Sequence, residues 1–270
     1  MSEHTQTESP LTEKHRRAFL MRKLHSLSGV VPVGGFMLFH LWTNAKATQG
    51  REPFDQAVRD ISHMPFVTVM EWGLILLPLL FHAIYGVFIA LNGRQNFTKY
   101  TYSRNWMYFL QRLSGLVAFA FIGMHLYQYW GQKVAGKMET GQFYQALCES
   151  LSSTKGGAPW MAIAYVVGIA ACAFHFANGL WGFCFSWGIT VSRRSQRMAS
   201  SLFGLVGVVV FFLGLNTVVH FATGESVTNM IERTLFGHGE PAKNACQPRI
   251  EATPQPAAAL DAAGSTVSSR

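Results

Sequence analysis

Apolar residues gather into five long runs separated by short polar segments, at roughly 24–45, 66–91, 106–130, 159–187 and 198–221. Each run supplies the ~20 helical residues that a hydrocarbon core ~30 Å thick requires. A span in lipid must satisfy its own backbone, so each run predicts a helix. The pattern predicts an all-α integral membrane protein with five transmembrane helices, the first four forming an antiparallel bundle. The first run is the least uniform, because Pro32, Gly34 and Gly35 interrupt it. Pro65 and Pro159 stand at expected helix starts, where a missing amide hydrogen costs little. Pro78 falls inside the second run and predicts a kink. The organisation expected is a polar N-terminal segment (1–23), a membrane domain (24–222) and a tail (223–270). The tail is polar and then rich in Ala, Pro and Ser, so it is expected to lack structure.

Only 13% of the residues are charged, about half the share usual in soluble domains. The net charge of +8 would suit a nucleic-acid partner if it formed one patch. Here it lies in short loops. Lys14, Arg16, Arg17, Arg22 and Lys23 precede the first run, Arg94, Lys99 and Arg104 follow the second, and Arg193, Arg194 and Arg197 follow the fourth. On that side the only acids are Glu3, Glu8 and Glu13, whereas the other loops mix Lys46, Arg51, Arg59, Lys133, Lys137 and Lys155 with carboxylates. The imbalance predicts a cytoplasmic N-terminus and, after five crossings, an external C-terminus. Segment 1–23 has no apolar stretch of the kind found in a cleaved leader.

Four of the ten histidines fall deep in runs, one in each of the first four: His40, His82, His125 and His175. An ionisable side chain at that depth is costly and marks function. Helix direction sorts them. His40 and His125 come late in outward-running helices and share an outer level; His82 and His175 come late in inward-running helices and share an inner one. In an antiparallel bundle the first and third helices form one diagonal and the second and fourth the other. With neighbours ~10 Å apart a diagonal spans about 14 Å, which suits two imidazoles binding one haem iron from opposite faces. Filled axial positions favour electron transfer over oxygen chemistry. A single zinc ion would need all four ligands within about 2 Å, and two depths oppose that.

Local sequence adds support. Gly86 and Gly179 each follow a histidine by four residues, on the same helix face, where a macrocycle needs close approach. Leu-Ser-Gly recurs before His40 and His125, ending at Gly29 and Gly115. Cys148, Cys172, Cys184 and Cys246 form neither C-x-x-C nor C-x-x-C-H, so neither covalent haem attachment nor a zinc knuckle is indicated.

The segments RKLHSLSGVVPVG, PLLFHAIYGVFIA, RNWMYFLQRLSG, FHFANGLWGF and WGITVSRRSQR resemble the dihaem cytochrome b subunit of succinate:quinone oxidoreductases, in its single-subunit, five-helix form. The likeness runs from about residue 22 to 221. It implies two haem b groups stacked inside the bundle, ligated by His82 with His175 (inner) and His40 with His125 (outer). It implies a multi-pass subunit of the bacterial cytoplasmic membrane that passes electrons between an iron–sulphur subunit and membrane quinone, menaquinone in this type, near the outer haem. FAD, the iron–sulphur clusters and the dicarboxylate active site would lie on partner subunits. Some fumarate reductases of this family carry Glu two residues before the fourth ligand; Ala173 stands there, which leans toward succinate oxidation.

Arg22, His25, Ser26 and Arg112 are candidate haem-propionate contacts at the inner helix ends, the alternative being snorkelling side chains. Glu71, at the outer start of the second helix, is a candidate quinone-linked proton relay, or a hydrated helix-start carboxylate. His63 and His220 are expected to ligate nothing, and Trp42, Trp72, Trp130, Trp160 and Trp187 to form interfacial belts. Two other readings remain: a dihaem cytochrome b of another dehydrogenase, such as a hydrogenase or formate dehydrogenase, and a transporter whose histidines relay protons.

Overall fold

The structure is a computed structural model that describes residues 10–93, 102–237 and 246. Arg94, Lys99, Glu3, Glu8 and most of the tail lie outside the described residues. Among the described residues, five helices are long and apolar enough to cross a membrane: Glu13–Gln49, Val67–Asn92, Ser103–Val134, Trp160–Ser186 and Arg193–Thr223. The protein is an all-α integral membrane protein.

Both prolines inside spans sit at changes of helix type. In the first span a π-helical turn, Gly29–Val33, contains Pro32 and joins Pro10–Ser28 to Gly34–Asn44. Pro32 has no amide hydrogen for the carbonyl one turn back, and the helix widens there. In the second span a π-helical segment, Met70–Leu76, gives way to the α-helix Leu77–Asn92 with Pro78 in its first turn. Pro78, where the sequence predicts a kink, thus stands just after the change from π-helix to α-helix. The first helix begins well before residue 24, at Pro10, and within its extension Arg17 pairs with Glu13.

The first span packs against the second and fourth, the third against the second and fourth, and the fifth against the first and fourth. The first and third spans are therefore one diagonal, and the second and fourth the other. Leu77, Leu80, Ile84, Phe88 and Leu91 form an exposed apolar stripe on the second span, which suits lipid.

On the side opposite the N-terminus, two short helices, Arg51–Ser62 and Phe143–Ser152, cover the bundle end. Phe54, Tyr144, Leu147, Cys148 and Leu151 bury themselves against Tyr129, Tyr165, Val218 and Phe221 of the spans. Burial pushes the Tyr144 hydroxyl above the usual tyrosine range, and Arg51 opposes the shift. The tail does not begin as an unstructured segment. Gly224 ends the fifth helix in the left-handed conformation, the Ser226 hydroxyl accepts the Asn229 amide at 3.2 Å, and Val227–Phe236 is helical. Further on, Cys246 forms a disulfide with Cys148, a pairing that the spacing of the cysteines did not suggest.

Candidate haem site

The four span histidines meet two by two across the diagonals. The ring centroids of His82 and His175 lie 6.1 Å apart, with planes at 88°. Those of His40 and His125 lie 5.6 Å apart at 73°. An imidazole nitrogen binds a metal at about 2 Å, and the ring centre lies about 1 Å further on. Two imidazoles on one ion therefore have centroids roughly 6 Å apart, so both pairs fit axial ligation of a haem iron. Among the described residues, no group of three or more His, Cys, Asp or Glu side chains converges on a point. His40 lies fifteen residues after His25, whose ring stacks on His82, so the two levels are about 20 Å apart along the helix.

Each level holds its rings differently. His82 Nδ1–H donates to the His25 carbonyl at 3.0 Å, and His175 Nδ1–H to the Gln111 carbonyl at 3.0 Å. A carbonyl only accepts, so the proton sits on Nδ1 and the lone pair on Nε2; the Gln111 amide nitrogen lies 3.4 Å from Nε2 of His175. At the other level the Tyr165 hydroxyl donates to Gln128 Oε1 at 2.8 Å and lies 3.1 Å from His125 Nδ1. The Asn44 amide donates to the His40 carbonyl at 2.8 Å and reaches its ring nitrogens at 3.3 and 3.4 Å. Gln111, Tyr165 and Asn44 escaped the sequence reading, since polar residues beside a span histidine carry no signal until the helices are docked.

The inner candidates for propionate contact divide. His25 Nδ1 and Arg112 Nε and Nη1 are buried without a hydrogen-bond partner among the described residues, as donors facing an anionic group would be. Arg112 also donates to the Tyr108 hydroxyl, and its guanidinium fills the space that a Cβ at Gly93 would take. The Ser26 hydroxyl accepts Trp187 Nε1 at 3.1 Å. Arg22 is exposed.

Glu71 is not a lone carboxylate: Lys133 Nζ lies 2.8 Å from its Oε1. Beside them Trp72 and Trp130 meet edge to face at 5.1 Å. His63 is exposed and its Nδ1 bonds the Arg59 carbonyl at 2.7 Å. His220 is buried, with Nε2 at 3.4 Å from the Tyr144 hydroxyl. Ala173 is buried, and its carbonyl faces Gly207 of the fifth span.

The sequence matches known proteins. Residues 93–235 match the family described as the succinate dehydrogenase/fumarate reductase transmembrane subunit. Over 205 residues the chain is 38% identical to the succinate dehydrogenase cytochrome b558 subunit of Bacillus subtilis (strain 168), covering 76% of this chain and 98% of that one. With five membrane helices and a family match over more than half its length, this chain belongs to the succinate dehydrogenase/fumarate reductase transmembrane subunits.

Proposed function

We propose that the chain carries electrons between an iron–sulphur subunit and membrane quinone, and that it holds two haem b groups for this purpose. Its coarser role follows from the family: it is the membrane anchor of an oxidoreductase complex of the succinate dehydrogenase type. The observation that carries the finer reading is the pairing of four span histidines into two facing couples at ligation distance, His82 with His175 and His40 with His125. A haem iron with imidazole on both faces exchanges single electrons without an open site for oxygen. The protein's part is to present Nε2 of each ring, hold the Nδ1 protons on the His25 and Gln111 carbonyls and on Tyr165, and offer His25 and Arg112 to the propionates.

The flavoprotein and iron–sulphur partners, with FAD and the dicarboxylate site, belong on the cytoplasmic side beside the inner pair. Menaquinone belongs near the outer pair, where Glu71 and Lys133 lie. Two observations support this orientation. The basic residues concentrate on the N-terminal side, and the Cys148–Cys246 disulfide lies on the opposite side, which suits an oxidising exterior. Purifying the chain with its soluble partners tests the proposal. Two low-spin haem b per chain and succinate:menaquinone activity are expected. A hydrogenase or formate dehydrogenase among the partners would favour the other dihaem reading, and a colourless protein would end both.

A further inference from the structure

We infer that the two Leu-Ser-Gly segments, 27–29 and 113–115, form a duplicated cradle that orients His82 and His175, an inference that rests on the proposed ligand role of this pair. The repeat serves histidines on the neighbouring helices, not those that follow it on its own helix. A Cβ on Gly29 would lie 2.2 Å from Cε1 and 2.6 Å from Nδ1 of His82. One on Gly115 would lie 2.9 Å from Cε1 and 3.1 Å from Nδ1 of His175. Each imidazole thus lies in a gap that only glycine leaves open.

One turn before each glycine stands the carbonyl that takes the imidazole proton, from His25 and from Gln111, at 3.0 Å in both cases. The serine preceding each glycine donates its hydroxyl to that same carbonyl, Ser28 at 2.9 Å and Ser114 at 3.1 Å. The duplication extends further. Gly86 and Gly179, one turn after the two histidines, face the side chains of His25 and Gln111, with Cβ distances of 3.1 and 3.5 Å. His40 and His125 are held by Asn44 and Tyr165 instead. The cradle therefore belongs to one level. It presses each ring against a helix and fixes the Nδ1 tautomer through the accepting carbonyl.

The test uses the complete complex in membranes, with low-temperature spectra, electron paramagnetic resonance and redox titration as readouts. Gly29→Ala and Gly115→Ala are expected to lose, or convert to high spin, the same component that His82→Ala removes. Gly35→Ala and Gly123→Ala, whose added methyl would meet nothing within 4 Å, serve as controls and are expected to keep both components. Ser28→Ala and Ser114→Ala threaten folding least. They are expected to lower the midpoint potential of that component alone, because a carbonyl freed of the hydroxyl pulls harder on Nδ1–H and makes the ligand more basic. A wild-type spectrum and potential for that component in all four variants, or a shift confined to the other component, would overturn the cradle. A wild-type complex without haem would overturn the ligand reading itself, and the two failures are therefore distinct.

Discussion

Lys133 at the end of the third span reaches Glu71 near the start of the second, Nζ to Oε1 2.8 Å. Both side chains are partly exposed, and such pairs contribute only about 0–1 kcal/mol to stability. Removing the charge should therefore spare the fold. Glu71→Gln is expected to retain both haem spectra and dye-linked succinate oxidation while slowing succinate:menaquinone turnover several-fold. Steady-state assays with both acceptors decide this, and unchanged quinone turnover would remove Glu71 from the mechanism.

The two histidine couples make a pairwise prediction. His82→Ala and His175→Ala should each abolish one redox component, and His40→Ala and His125→Ala the other. Potentiometric titration of the four variants reads it. Loss of a common component from His82→Ala and His40→Ala would contradict the pairing.

Tyr165 donates to Gln128 and accepts from His125 Nδ1–H. Tyr165→Phe removes that acceptor and leaves the imidazole less electron-rich, so the ferric state loses stabilisation. The midpoint potential of the component assigned to His40 and His125 is expected to rise, with the other unmoved. A fall, or an equal shift of both, would sink the assignment.

The Cys148–Cys246 disulfide closes a loop across a sequence separation of 98. Such bridges typically stabilise by about 2–4 kcal/mol, more for longer loops. Cys246→Ser should lower the thermal midpoint of the protein without altering either haem spectrum. Denatured but unreduced protein should react with a maleimide polymer at Cys172 and Cys184 only, and at all four cysteines after reduction. Four adducts without reduction would eliminate the bridge.

Five spans, their order and the four deep histidines were legible in the chain itself, because a membrane span is a local property: each run must be apolar over its own length. The grouping of His82 with His175 and of His40 with His125 followed from helix direction, which sets the depths, together with the diagonals of an antiparallel bundle. Tertiary structure decided what depends on two helices at once. The echo of Leu-Ser-Gly acquired meaning only when Gly29 met His82 and Gly115 met His175. Glu71 looked solitary because its cation, Lys133, is 62 residues away. The helix Val227–Phe236 and the disulfide at Cys246 were hidden in a polar tail, since a short helix beyond the last span has a composition close to that of a loop. Local hydrophobicity sets what crosses the membrane, whereas hydrogen bonds, ion pairs and disulfides join residues distant in sequence and appear only once the helices are packed.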